Sequence, residues 1–260
     1  MSRRWLLFIP MYNCKPQITR TLAQLTPDLR NRFAKVFVVD NGSTDGGPEA
    51  ALAFAGENLD GVDVQVVRND NNLGLGGSHK VAFQHCLDED FDGMFVFHGD
   101  DQGSLNDLVS VMDGYPTEEC VLGSRFMWGA SLVGYAPHRI LANIAFNFIF
   151  SVISLRVLWD LGSGLNYYSK AFVARRLWEG CADDLTFNYH LILRTARIGG
   201  LSVAFVPITW REEDQVSNAK LYSHGMTMLG IVWNFLVRRG RFTSVDHSTA
   251  PTPRTWTALS

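Results

Sequence analysis

The 260-residue chain has only four cysteines, Cys14, Cys86, Cys120 and Cys181, with no CxxC pair and no histidine at metal-ligand spacing from any of them. That scarcity removes zinc ribbons and thioredoxin-type redox motifs, and leaves buried thiols in a reducing compartment as the simplest reading. Charge of one sign is missing too: 23 Lys+Arg stand against 26 Asp+Glu, a net charge of −3, which gives no electrostatic reason to expect a nucleic-acid partner. A cleavable leader is not visible, because Pro10 interrupts the apolar run of MSRRWLLFIPMYN and no small-residue cleavage site follows; the segment reads as a buried first strand and the protein as cytosolic. An uninterrupted apolar run of membrane-spanning length is also lacking. ILANIAFNFIFSVISLRVLW, residues 140–159, is about as long as a span, but Asn143, Asn147, Ser151, Ser154 and Arg156 break it, so it reads as a buried or interface-lying helix.

What is present is a core. With 47% hydrophobic and 19% charged residues the chain is not disordered, and at about 150 residues per domain it holds one large domain or two small ones. Short β-rich apolar runs recur in the first 125 residues: WLLFIP (5–10), KVFVVD (35–40), VDVQVV (62–67) and GMFVFH (93–98), each followed by polar or glycine-rich residues and a helical stretch. This alternation predicts an α/β fold with a parallel sheet covered on both faces. Ligands of such sheets sit beyond the carboxyl ends of the strands, which gathers PMYN, DNGSTDGG, NDNNLGLGG and HGDDQG along one edge.

After Gly123 the alternation weakens. The helix of 139–159 is followed by DLGSGLNYYSKAF, LTFNYHLILRTARIGG reads as a helix stopped by Gly199 and Gly200, and LSVAFVPITW as a strand with Pro207 near its exposed end. MTMLGIVWNFLVRRGR, residues 226–241, is either a packing helix with cations at its end or a basic amphipathic foot on an anionic membrane. From Arg241 the sequence is rich in Ser, Thr and Pro without periodicity and predicts a disordered tail.

Four motifs carry chemistry. In VVDNGSTDGG, Asp40 and Asp45 flank a Gly-Ser turn and could accept hydrogen bonds from a base or ribose, or could simply form an Asx turn. NLGLGG (72–77) precedes a helix as a phosphate cradle would, yet matches neither GxGxxG nor the Walker pattern. In HGDDQG (98–103), residues two apart in an extended segment point the same way, so His98, Asp100 and Gln102 converge while Asp101 faces elsewhere. That set suits a divalent cation bearing a diphosphate, with the histidine leaning toward Mn²⁺ over Ca²⁺. REEDQVSNAK (211–220) offers Arg211 and Lys220 to anionic oxygens, though local ion pairs alone would explain it.

Taken in order, IPMYN, VVDNGSTDGG, NLGLGG, HGDDQG, GSRF, DLGSGLNYYSK, VPITW and REEDQVSNAK resemble the family 2 inverting glycosyltransferases of the GT-A fold, and most of all their polyprenyl-phosphate branch. The resemblance runs from about Leu7 to Lys220. It implies a Rossmann-like, mostly parallel sheet with helices on both faces, in a domain of residues 1–222, followed by a C-terminal amphipathic helix (223–240) and the tail (241–260). It further implies a donor pocket of Pro10, Tyr12, Asn13, Asp40, Asn41 and Gly74, and a metal held by His98, Asp100 and Gln102. Arg125, Arg211, Ser217 and Lys220 would face donor or acceptor phosphate. The helix of 139–159, with Asp160 and Gly164, resembles the acceptor-side segment near the membrane.

The departures are specific. His98 stands where the first aspartate of the family's Asp-x-Asp motif is usual, Asn41 replaces a frequent aspartate, and Leu75 sits where a cation is common. The Glu-Asp pair that supplies a base in many relatives has only Asp183 and Asp184 as approximate substitutes.

The implied reaction moves a sugar from a UDP- or GDP-sugar to a lipid-linked, polyprenyl-phosphate-type acceptor with inversion. Mn²⁺ or Mg²⁺ and Arg211 would stabilise the departing diphosphate, around Asp100. A phosphate acceptor is already an anion and needs no general base; a hydroxyl acceptor would need one, for which Asp184 or Asp183 is in reserve. The enzyme would be cytoplasmic and peripheral on the inner face of the membrane. The rivals are a nucleotidyltransferase and an inactive nucleotide-sugar-binding module of the same fold.

Overall fold

The computed structural model describes residues 3–114, 117–214, 221–238, 240–250 and 253–259. In chain order it contains β1 (Trp5–Met11), α1 (Lys15–Ala23), α2 (Pro27–Arg30), β2 (Lys35–Asp40), α3 (Gly47–Asn58), β3 (Val64–Asn69), α4 (Gly74–Asp88), β4 (Gly93–Phe97) and α5 (Asp107–Gly114). There follow β5 (Cys120–Ser124), β6 (Ser131–Val133), α6 (Pro137–Ser154), β7 (Leu165–Ser169), α7 (Lys170–Ala174), α8 (Phe187–Ile198), β8 (Val203–Pro207), β9 (Thr209–Arg211), α9 (Leu221–Val237) and β10 (Trp256–Ala258).

The main sheet has eight strands in the order β10-β3-β2-β1-β4-β7-β5-β8. β1 runs parallel to β2 and β4, β2 to β3, and β5 to β8, whereas β7 is antiparallel to both its neighbours. β1 shows why the strands are apolar without alternation. Its odd positions Leu7, Ile9 and Met11 pack with Ile18 and Leu22 of α1 and Leu108 of α5. Its even positions Leu6 and Phe8 pack with Val81 and Phe83 of α4 and Leu191 of α8. A strand covered on both faces needs apolar side chains at every step. β6 and β9 form a separate parallel pair, so LSVAFVPITW is two strands divided at Ile208.

A third apolar cluster joins Phe150 and Ile153 of α6, Leu193 of α8, and Met228, Ile231 and Phe235 of α9. α6 is shorter than its apolar sequence suggests, and the polar residues that break the run explain this. Ser151 Oγ accepts the Leu158 N–H at 2.9 Å and Asn147 Nδ2 donates to the Trp159 carbonyl at 2.8 Å, so both fold the chain back after Leu155, which has φ of 57°. Among the described residues no helix is long and apolar enough to cross a membrane.

The segment after Arg241 departs from the expectation of a disordered tail. Its described part returns to the sheet, where β10 pairs antiparallel with β3, Trp256 opposite Asn69 and Ala258 opposite Val67. The Trp256 ring lies edge-on to Phe37 at 5.8 Å and to His85 at 6.2 Å. A three-residue edge strand is too short to show periodicity in sequence; one ring and a short ladder hold it.

Candidate active site

The first four parallel strands end at one edge, and their loops knit together there. The Asn13 N–H donates to Ser43 Oγ at 2.8 Å, Asn13 Oδ1 accepts the Thr44 N–H at 2.9 Å, and the Lys15 N–H donates to Asp45 Oδ2 at 2.8 Å. Asn13 adopts φ of 48°, a left-handed conformation that asparagine tolerates. The Pro10 carbonyl accepts the Gly99 N–H at 3.0 Å, tying the β1 loop to the β4 loop, and Tyr12 is exposed beside them.

Two residues expected to touch the donor have partners within the fold. Asp40 is fully buried; one of its oxygens accepts the Ser43 N–H at 3.0 Å and the other Arg68 Nε at 2.7 Å. It therefore shapes the turn and anchors Arg68, which is half exposed at the end of β3 and absent from the sequence-derived site. Asn41 bridges two loops: its amide donates to Asn72 Oδ1 at 2.8 Å, and its carbonyl accepts from Asn69 Nδ2 and the Leu73 N–H at 3.1 and 2.8 Å.

Gly74 is explained by chain packing rather than by a phosphate. It has φ of 72°, and a Cβ there would run into the Asp183 carbonyl oxygen, which the Gly77 N–H already meets at 3.0 Å. The reserve carboxylates separate clearly. Asp183 is buried and takes Lys80 Nζ at 2.8 Å, Arg254 Nη2 at 3.0 Å and the Thr249 and Ala250 N–H groups at 2.6 and 2.7 Å. Burial alone would raise its pKa, but these donors outweigh burial and lower it. Spent on four donors, Asp183 is unsuited to be a base. Asp184 is exposed, with Oδ1 accepting the N–H and Oγ1 of Thr186 ahead of α8 at 2.8 and 2.5 Å.

The HGDDQG segment is a turn, not an extended strand, with Asp101 at φ of 57°, so His98, Asp100 and Gln102 are not brought together by alternation. The His98 ring lies against the Gly164 backbone, where a Cβ would collide with it, and edge-on to buried His79 at 6.1 Å. Burial, and secondarily the Arg125 charge, push the His98 pKa down to about 4, and its Nε2 is buried without a hydrogen-bond partner. Burial raises the Asp100 carboxyl to about 6, against the pull of the Gln102 N–H. Asp101 turns the other way, accepting Arg20 Nε at 2.8 Å, Gln24 Nε2 at 2.9 Å and Arg211 Nη2 at 3.4 Å. Among the described residues no three His, Cys, Asp or Glu side chains gather as a ready metal cage. Asp100 nevertheless fits a divalent cation: it is a hard oxygen donor whose charge burial disfavours, at the edge where a diphosphate would complete the ligand set.

Of the expected phosphate-facing cations, Arg125 is a bidentate partner of Asp160, both contacts at 2.9 Å, and its Nη2 also meets the Gly162 carbonyl. Burial opposes its charge, and Asp160 more than compensates. It fixes the loop before β7 rather than pointing free. Arg211 lies beside the HGDDQG loop, its N–H donating to the Gln102 carbonyl at 2.8 Å, with a half-exposed guanidinium. Ser217 and Lys220 lie outside the described residues.

The chain resembles known proteins at each level. An undecaprenyl-phosphate mannosyltransferase of Micrococcus luteus is 26% identical over 213 residues, covering 81% of this chain and 85% of that protein. Glucosyl-3-phosphoglycerate synthase of Mycobacterium tuberculosis bound to UDP superposes with a TM-score of 0.62 at 14% identity, covering 94% of this chain and 81% of that one. The same enzyme with Mn²⁺, UDP and glucosyl-3-phosphoglycerate gives a TM-score of 0.60 at 18% identity, covering 91% and 80%. The sequence model described as Glycosyl transferase family 2 matches residues 7–176, more than half of the chain, and the protein therefore belongs to glycosyl transferase family 2.

Proposed function

We propose that this protein transfers a sugar, with inversion, from a nucleoside diphosphate sugar to a phosphorylated lipid. The observation that carries the reading is the placement of Asp100, a half-buried carboxyl, at the carboxyl edge of β4 in a family 2 domain. The mannosyltransferase relative, named for undecaprenyl phosphate, supports the acceptor class, and the Mn²⁺- and UDP-bound neighbours support a metal-borne diphosphate.

Asp100 would hold the cation, which would supply charge neutralisation to the leaving diphosphate. The chain's own residues set the geometry. Asp101, gripped by Arg20 and Gln24, fixes the turn that presents Asp100, and Arg211 brings a guanidinium to the same loop. Asp40 holds Arg68 at the nucleotide side of the edge. A lipid phosphate is itself the nucleophile, so the reaction needs no base; Asp184 is the exposed carboxylate available to a hydroxyl acceptor. The outward faces of α6 and α9, with Leu141, Phe148, Leu155, Trp233 and Val237 exposed, would rest on a membrane surface that supplies the acceptor.

Titration calorimetry with UDP and GDP, with and without Mn²⁺, tests the donor half. One of the nucleotides should bind more tightly with Mn²⁺, and Asp100→Asn should abolish that gain while retaining the fold. Absence of nucleotide binding under every condition would overturn the reading.

A further inference from the structure

Between α8 and the β5-β7-β8 part of the sheet lies a cavity of about 340 Å³, within the size range of small-molecule sites. Along α8 it runs from Asn188 to Ala196, a rise of about 12 Å at 1.5 Å per residue. Small side chains opposite the helix, Cys120, Gly123, Ser163 and Val203, leave the space, and Leu122, Leu161, Tyr168, Leu191 and Phe205 make its walls apolar. Thr195 Oγ1, at the far end, is buried without a hydrogen-bond partner.

Two lining residues are exposed, and they lie toward different surroundings. Val157, 71% exposed, lies in the turn after α6, two residues past Leu155, 84% exposed. Gly162 follows Asp160, the partner of Arg125, and two residues later Gly164 packs on His98 in the loop that carries Asp100. The cavity thus has one exposed lining residue just after α6 and another in the loop that leads to the carboxyl edge of the sheet. Arg156, the cation in its lining, donates to the Leu201 carbonyl at 3.3 Å, and Asp160, the carboxylate in its lining, is held by Arg125. The cavity's chemistry suits a narrow hydrocarbon.

We infer that this cavity takes the first isoprenoid units of the phosphorylated lipid acceptor, with the phosphate left at the carboxyl edge near Asp100. The inference rests on the function proposed above and adds where the chain of the lipid is held and read. Chain units beyond the length of α8 leave past Val157 toward the membrane face, so the site discriminates among acceptors by their first units and not by total length.

Photolabelling with geranyl phosphate bearing a terminal diazirine, followed by peptide mapping on the unmodified protein, tests the location. Adducts should fall in residues 156–163 and 188–196. Ala196→Phe, which fills the far end, should reduce that labelling and raise the KM for geranyl phosphate by about tenfold, the scale of hydrophobic-pocket discrimination, with the nucleotide-sugar KM unchanged. Labelling confined to the outer faces of α6 and α9, or undiminished labelling in a folded Ala196→Phe protein, overturns the inference. The two failures are separable: transfer to lipid phosphates with labelling elsewhere refutes the cavity alone, whereas labelling in the cavity without transfer to any lipid phosphate refutes the function alone.

Discussion

His79 and His190 are buried imidazoles whose neutrality has a measurable consequence. Burial first, and then the neighbouring His98 or His247, lowers each pKa to about 3. An unfolded histidine takes up its proton as pH falls through about 6.5, while these two refuse it in the fold, so their stability contribution is complete above that pH and is lost below it. Each contributes a loss approaching ~1.4 kcal/mol per pH unit under those conditions. Asp100, raised to about 6, works in the opposite sense between the normal carboxylate range and about 6, because the fold then holds a proton that the unfolded chain releases. His190 stacks on Phe242 at 5.5 Å, so His190→Phe should give a melting temperature that falls less steeply from pH 7 to pH 5 than that of the parent. Parallel curves would show that His190 is not the buried neutral group described.

The same scale shows where sequence reasoning reached its limit. Asp100 and the edge that carries it were legible from HGDDQG following an apolar strand. The convergence of His98, Asp100 and Gln102 expected from alternation does not hold, because that rule assumes an extended backbone and Asp101 is left-handed. Nor could spacing tell an aspartate that meets ligand from one that meets arginine, as Asp40 meets Arg68. Asp40 was expected to meet a base or ribose and is paired with Arg68, which we propose brings its charge to the nucleotide side of the edge. Arg68→Ala should weaken nucleotide binding by about tenfold, the usual scale of one charge-assisted contact, and lower the melting temperature as well, because buried Asp40 loses its counter-charge; equal affinities in calorimetry would remove it from the site.

At the scale of elements, the loop before α8 is held by a strap from the C-terminal segment. Lys80 of α4 and Arg254 both pair with Asp183, Ser248 Oγ accepts from Lys80 Nζ at 2.7 Å, and β10 closes the sheet edge. Asp183→Ala leaves Lys80 buried without its counter-charge, which should cost about 3–5 kcal/mol in urea unfolding. A loss below about 1 kcal/mol, the level of a surface pair, would mean that the network does not hold the loop. The continuous apolar runs of β1 to β4 and the periodic core of α8 were readable. The end of α6 and the return of the tail were not, because both depend on distant partners: Ser151 and Asn147 with 158–159, and Trp256 with Phe37 and His85.

At the scale of the whole molecule, a net charge of −3 conceals an uneven surface. Apolar side chains crowd the outer faces of α6 and α9, and no described helix can span a bilayer. Replacing Phe148 and Trp233 together by Asp should abolish sedimentation with anionic vesicles while leaving Mn²⁺-dependent nucleotide binding intact; vesicle binding equal to the parent's would show that the outer faces of α6 and α9 serve something other than a membrane. The most direct test of function is transfer of labelled sugar from a panel of UDP- and GDP-sugars to polyprenyl phosphate in detergent. A lipid-extractable product should form with Mn²⁺ or Mg²⁺ and fall at least ~100-fold in Asp100→Ala, the scale of losing one preorganised electrostatic contact. Absence of lipid-linked product with every donor, or equal metal-dependent transfer by Asp100→Ala, would contradict it.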